Sequence, residues 1–164
     1  MEQELEFLTF EPALAPHFKR INAEWIEEMF SLEEADRTIL EQPQARIIDG
    51  GGQVWFARHT QLGIVGCCAV MHKGEGAFEL TKMGVLKNTR GLKVGERLLQ
   101  HVLKGAAEMP IERLFLLTSK HCEAAIHLYL KNGFEHDAGV LGTYGCAYER
   151  CDVGMKYPPI WNER

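Results

Sequence analysis

Hydrophobic positions along the 164-residue chain change period several times, and each change marks an element. Leu14, Phe18, Ile21, Trp25 and Met29 recur at spacings of four, three, four and four, which is one stripe of an amphipathic helix. Ahead of them, residues 5–10 alternate loosely and read as a strand ended by Glu11-Pro12. Behind them, Ser31 stands three residues before Glu34, a capping-box spacing that predicts a short helix over about 32–41, stopped by Pro43. The turn Asp49-Gly50-Gly51-Gly52 then opens a stretch read as strands. Residues 53–59, residues 64–73 and the strand carrying Glu79, Met83 and Val85 read as an antiparallel meander, with Gly74-Glu75-Gly76 as its last tight turn.

The helical period returns in Leu98, Leu99, Val102, Leu103 and Ala106, so residues 91–107 read as a second amphipathic helix that Met109-Pro110 closes. Leu114-Phe115-Leu116-Leu117 is apolar throughout, as a buried parallel strand would be. Residues 124–131 are helical, with Asn132-Gly133 as the stop. Two late strands, 134–137 and 147–156, are joined by the glycine-containing segment 139–145. Repeats, low-complexity tracts and linkers are not evident, and the reading is a single domain over 1–164.

The passage from the strand at Glu79 through the turn at Gly91 into the helix matters chemically. A strand feeding a glycine-bearing turn and a helix start offers unpaired N–H groups and a positive dipole end, which suit a phosphate or diphosphate. Lys82, Lys87, Arg90, Lys93 and Arg97 cluster around that turn in the sequence. Elsewhere the formal charge of -5 argues against a general nucleic-acid or anionic-membrane surface. No apolar run approaches the roughly 20 residues that cross a bilayer. The start, Met1-Glu2-Gln3-Glu4, is acidic and precedes no signal-like block, so a cytoplasmic location is expected. The five cysteines, Cys67, Cys68, Cys122, Cys146 and Cys151, are odd in number without C-x-x-C spacing; reduced thiols are expected rather than a disulfide framework or a zinc site.

Arg90-Gly91-Leu92-Lys93-Val94-Gly95 resembles the acetyl-CoA signature of the GCN5-related N-acetyltransferases (GNAT), Gln/Arg-x-x-Gly-x-Gly/Ala, with Arg90 and Gly95 in register. Lys93 stands where the family usually has glycine. Downstream, Ala125-Ile126-His127-Leu128-Tyr129-Leu130-Lys131-Asn132-Gly133-Phe134 is similar to the family's Ala-x-x-Leu-Tyr-x-x-x-Gly-Phe block. Together the motifs cover the order of elements over about 4–157 and imply an α/β (α+β) GNAT fold. That fold has a mixed, mostly antiparallel sheet of about seven strands, about four helices on its faces, and a splay between the fourth and fifth strands. The wording around Glu24-Trp25 and Glu79-Leu80-Thr81-Lys82-Met83 is also similar to acetyltransferase domains that follow MarR-type domains in bacterial proteins, although this chain is too short to carry the DNA-binding part.

The resemblance implies an N-acetyltransferase that moves the acetyl group of acetyl-CoA, its co-substrate, to a primary amine of a small molecule or peptide. Transfer would be by direct attack, without metal. Glu79 takes the place of the family's general base and Tyr129 that of the acid that protonates the leaving thiolate. Backbone groups of Met83 and Val85 stand at the positions for pantetheine and thioester, with Gly84 between them either relieving crowding or marking a bulge. The N–H groups from Arg90 through Gly91, Leu92, Lys93, Val94 and Gly95 to Glu96 would hold the diphosphate. Cys122 replaces an asparagine common in the family, with Ser119 and His121 as substitutes for its pantetheine contact. The acceptor pocket would draw on Trp25, Glu28, Phe30, Glu33 and Tyr144, suited to a small cationic amine by stacking and charge pairing. Dimers are common in the family.

Plainer alternatives stand beside these. Glu79 reads equally as a solvent-facing strand glutamate, Tyr129 and Trp25 as core aromatics, and Cys122 as a small helix-start residue rather than a nucleophile. His121, Cys122 and His127 match no metal spacing. The rival functions are a catalytically silent acyl-CoA-binding or sensing module of the same fold, motivated by Lys93 and Cys122, and a nucleotide-binding module unrelated to CoA.

Overall fold

The computed structural model describes residues 4–89, 91–145 and 148–162. Its elements run β1 (Leu5–Thr9), α1 (Ala15–Met29), α2 (Glu34–Glu41), β2 (Gln53–His59), β3 (Gly63–His72), β4 (Ala77–Val85), α3 (Val94–Ala107), β5 (Arg113–Thr118), α4 (Glu123–Lys131), β6 (Glu135–His136), α5 (Ala138–Tyr144) and β7 (Val153–Lys156). The strands form one seven-stranded sheet in the order β1-β2-β3-β4-β5-β7-β6. Every neighbouring pair is antiparallel except β4 and β5. Among the described residues, no helix is long and apolar enough to cross a membrane.

Strand alternation sorts the meander between two apolar layers. Trp55, Ala57, Cys68 and Val70 join Leu98, Leu99 and Val102 of α3 in one core. Val54, Phe56, Cys67 and Ala69 join Phe18 and Ile21 of α1 and Leu40 of α2 in the other. The helix stripes read from the sequence therefore meet opposite faces of the same strands. The apolar face of α3 buries Val94, Leu98, Leu99, Val102, Leu103 and Ala106. Each large side chain buried there contributes about 1.5–3 kcal/mol, so α3 is anchored firmly beneath its own N-terminus.

Four local features differ from the sequence reading. Glu33 and Asp36, rather than Ser31 and Glu34, form the capping box of α2, because Glu33 has the extended backbone that an N-cap needs. After Pro43 the chain adds one π-helical turn over Gln44–Ile48. The glycine-containing segment after residue 137 holds a fifth helix, α5, whose N-terminus is capped by the Asp137 carboxylate accepting from the Val140 N–H at 3.2 Å. Its glycines are tolerated because Val140 is buried and packs with Phe115 of β5. Finally, β7 begins at Val153, and residues 149–150 form a turn; positions 146 and 147 lie outside the described residues.

Candidate active site

The parallel ladder between β4 and β5 is short: Ala77 pairs with Arg113, Phe78 with Leu114 and Glu79 with Phe115, and then the strands part. Part of the cause lies on the other edge of β4. Thr81 pairs with Ala69 but Gly84 pairs with Cys67, so β4 carries one more residue than β3 across this interval. Such a bulge bends its strand and raises the local twist. Of the two readings of Gly84, the bulge is displaced, since the surplus falls at Lys82–Met83, where Lys82 takes the left-handed φ of +52°; the relief of crowding holds, as the Trp25 contact below shows. Beyond the ladder a cleft of about 600 Å³ opens between β4 and the β5–α4 connection.

Glu79 and Tyr129 both line this cleft. The Glu79 carboxyl is buried, and burial pushes its pKa above the usual carboxylate range, only partly offset by the Lys73 and Lys82 ammoniums. Lys73 Nζ lies 3.8 Å from Glu79 Oε1. Tyr129 is buried on α4, its ring edge-on to Phe134 at 5.7 Å. Burial, with the Cys68 and Cys122 thiols nearby, raises the phenol's pKa and keeps it in the protonated form at neutral pH. Glu79 is thus not the solvent-facing residue of its plainer alternative, whereas Tyr129 does pack in the α3 core while also lining the cleft.

Met83, Gly84, Val85, Gly95 and Cys122 lie along the same cleft, together with Ser119 and His121. The rest of the turn faces outward: Gly91, Leu92, Lys93 and Glu96 border a second, shallower depression along α3 with Arg97 and Lys131. Val94 is buried beneath. Arg90 lies outside the described residues. Gly91 has φ +88°, and Lys93, the N-cap of α3, has φ +57°. A left-handed residue costs any side chain about 1–2 kcal/mol, which accounts for glycine at that place in the motif. Lys93→Gly is expected to raise thermal stability by roughly 0.5–1 kcal/mol, the relief of strain exceeding the added freedom of the unfolded chain. Thermal denaturation checks it.

An ion cluster that no sequence pattern marks forms the back of the cleft. Asp36, wholly buried, accepts from Lys82 Nζ at 2.8 Å and from Arg150 Nη1 and Nη2 at 2.7 Å each. Lys82 also donates to the Tyr148 hydroxyl at 3.0 Å, and Arg150 to Glu33 at 3.1 Å. Burial alone would raise the Asp36 pKa, but the Arg150 hydrogen bonds and the Lys82 ammonium outweigh it and hold the carboxyl at about 2. Lys82 is therefore not part of a cationic phosphate loop, and Lys87 likewise pairs with Glu28 at 2.8 Å. The partners are separated by 46 and 114 residues, so local spacing carried no signal for them.

Of the acceptor-side residues, Trp25 and Phe30 line the cleft beside Met29, Tyr148 and Arg150. Trp25 donates to Asn22 Oδ1 at 2.9 Å, and Asn22 in turn is fixed by the Phe18 carbonyl. The indole lies directly on Gly84, where a Cβ would come within 2.7 Å of it, so Gly84 serves this contact rather than a bulge. Glu28 and Tyr144 are not among the residues lining the cleft; Tyr144 stacks on Phe115 with ring centroids 4.0 Å apart. No group of three or more His, Cys, Asp or Glu that could hold a metal ion occurs among the described residues.

A sheet parted beside a helix N-terminus, with a buried acid and a buried phenol on its walls, is the arrangement of an acyl-transfer fold. A family model described as an acetyltransferase (GNAT) domain matches residues 50–136, more than half of the chain, which therefore belongs to the GNAT acetyltransferases. The chain is 39% identical over 105 residues to an amino-acid acetyltransferase of Ralstonia nicotianae, covering 63% of this chain and 22% of that one. It is 36% identical over 83 residues to an IAA acetyltransferase of Azospirillum brasilense, covering 50% of this chain and 54% of the other. The chain thus spans about a fifth and about half the lengths of these curated relatives. Among solved structures, a GNAT-family acetyltransferase from Staphylococcus aureus Mu50 shares the fold at a TM-score of 0.81 and 22% identity, over 93% of this chain and 97% of that one.

Proposed function

We propose that the chain transfers the acetyl group of acetyl-CoA to a primary amine by direct attack, with Glu79 as base and Tyr129 as acid. The observation that carries this reading is that the buried, proton-avid carboxyl of Glu79 and the neutral phenol of Tyr129 line one cleft that also reaches Gly95 at the N-terminus of α3. Acetyl-CoA supplies the acyl group as a thioester. The residues present fit it: β4 has no β5 partner beyond Glu79, so Met83 and Val85 have backbone groups to offer the pantetheine arm. Gly91 and Lys93 take left-handed φ at the turn, the Leu92 N–H is held by the Thr89 carbonyl at 3.2 Å, and the diphosphate is left the N–H groups of Val94, Gly95 and Glu96 in the first turn of α3, where a helix has no intrahelical acceptor for them.

In the reaction, Glu79 takes the proton that the acceptor ammonium must lose before its nitrogen can bond to the acetyl carbon. Its raised pKa brings it closer to the amine's than an ordinary carboxylate would be. As the carbon–sulfur bond breaks, Tyr129 gives its proton to the sulfur and regains one, through solvent, from the nitrogen that becomes an amide.

Thiol release from acetyl-CoA, followed against a panel of amines, tests the reading. Tyr129→Phe is expected to lower kcat by about 10²-fold with acetyl-CoA affinity unchanged; equal turnover would remove Tyr129 from its role. Stabilisation by acetyl-CoA with no thiol release on any amine would instead make the chain an acyl-CoA-binding module.

A further inference from the structure

We infer that the acceptor of this site is an amine whose only charge is the reacting nitrogen, carried on an apolar or aromatic arm, rather than a polyamine or an amino acid. The inference rests on the transfer reading above and narrows it. Its basis is the charge balance of the acceptor side, where every ionic side chain of the Asp36 cluster is held by another. Arg150 spends both Nη atoms on Asp36 and one also on Glu33. Glu33 accepts in addition from the Glu149 N–H at 3.1 Å. Lys82 is held by Asp36 and Tyr148.

The aromatic faces are occupied in the same way. Lys82 Nζ lies 4.4 Å and Arg150 Cζ 4.6 Å from the centroid of the Tyr148 ring, and Arg150 is also 5.7 Å from that of Phe30. Tyr148 and Phe30 thus carry the protein's own cations, and Trp25 is the cleft aromatic left for the acceptor's arm. A carboxylate on the acceptor would find at Arg150 only the Nε–H and one Nη2–H that Asp36 and Glu33 leave, beside two carboxylates that already balance the Lys82 and Arg150 charges. A second ammonium would have to displace Arg150 from Glu33. What remains open where α1 ends is apolar, namely Trp25, Phe30, and Met29, a flexible side chain 47% exposed at the rim, whereas the polar Ser119, His121 and Glu123 lie on the β5–α4 side of the cleft.

The test compares phenethylamine, phenylalanine and spermidine as acceptors with the wild-type protein. Thiol release is measured alongside calorimetric binding of each amine to the CoA-saturated protein. Phenethylamine and phenylalanine differ only by the carboxylate, so their ratio isolates its effect. The expected result is a kcat/KM for phenethylamine at least about tenfold above either competitor, and tighter binding in the same order. Phe30→Ala should lower kcat/KM for phenethylamine about tenfold with acetyl-CoA affinity unchanged. Release that favours phenylalanine or spermidine overturns the inference and leaves the transfer reading standing. Phenethylamine binding without thiol release upholds the subsite and removes the transfer reading, whereas neither binding nor release of phenethylamine overturns the inference outright.

Discussion

Glu79→Gln is expected to lower kcat/KM by about 10²–10⁴-fold at neutral pH, the range that a positioned general base contributes. Glutamine keeps the shape and cannot take the proton, so acetyl-CoA binding should be unchanged. In the wild-type protein, the pH profile should fall on the acid side with a midpoint above the ordinary carboxylate range, because burial disfavours the charged form of Glu79 more than Lys73 and Lys82 support it. The variant should lose that limb. The stability effect has the opposite sign. An acid whose folded pKa lies above its unfolded one binds protons more readily when folded, so it loses stability as pH rises through that interval. At neutral pH, Glu79→Gln should therefore be as stable as the parent protein or more so, while nearly inactive. Steady-state kinetics from pH 5 to pH 9 with urea denaturation at neutral pH would check both halves.

The largest stability loss should come from Asp36→Asn. The neutral amide leaves the Lys82 ammonium and the Arg150 guanidinium without their shared counter-charge, and the Lys82 side chain is 2% exposed. Breaking a buried pair from one side costs about 3–5 kcal/mol, which for a chain of this size lowers Tm by about 10 °C. The pH dependence follows from the direction of the shift. Asp36 is lowered from 3.8 to about 2 on folding, so its contribution is complete above the unfolded value and is lost as pH falls towards the folded one. Urea denaturation at pH 7 and pH 3 should show the parent losing stability between them and the variant losing less; parallel losses would remove Asp36 from that account.

How much of this was legible beforehand depended on how far apart in the chain the determinants lie. The meander, the α3 stripe and the buried Leu114 strand announce themselves through repeats of two or of three to four residues, which need only their own neighbours. The turn around Gly91 and the block from Ala125 to Phe134 are contiguous, and Gly95, Tyr129, Met83, Val85 and Cys122 meet around one cleft. Side-chain partnerships across long separations were not legible. Lys82 and Lys87 look like members of a phosphate-binding cluster until Asp36 and Glu28 claim them. Tyr144 looks like a pocket aromatic until α5 turns it onto Phe115. The helix itself was hidden because Gly139 and Gly142 within it and Gly145 at its C-cap resemble a loop, and its support comes from β5 and β7.

The surplus residue in β4 has a consequence for insertions and deletions. Ahead of it Phe78 and Leu80 belong to the α3 core; after it that role passes to Met83 and Val85, while Gly84 turns to Trp25. Excising Lys82 would restore an even ladder with β3, because Gly84 already sits opposite Cys67 and Val85 opposite Gly66. The bend that helps part β4 from β5 would go with it, and Asp36 would lose the Lys82 ammonium. Relatives that vary freely in side chain along this strand should for that reason keep its length.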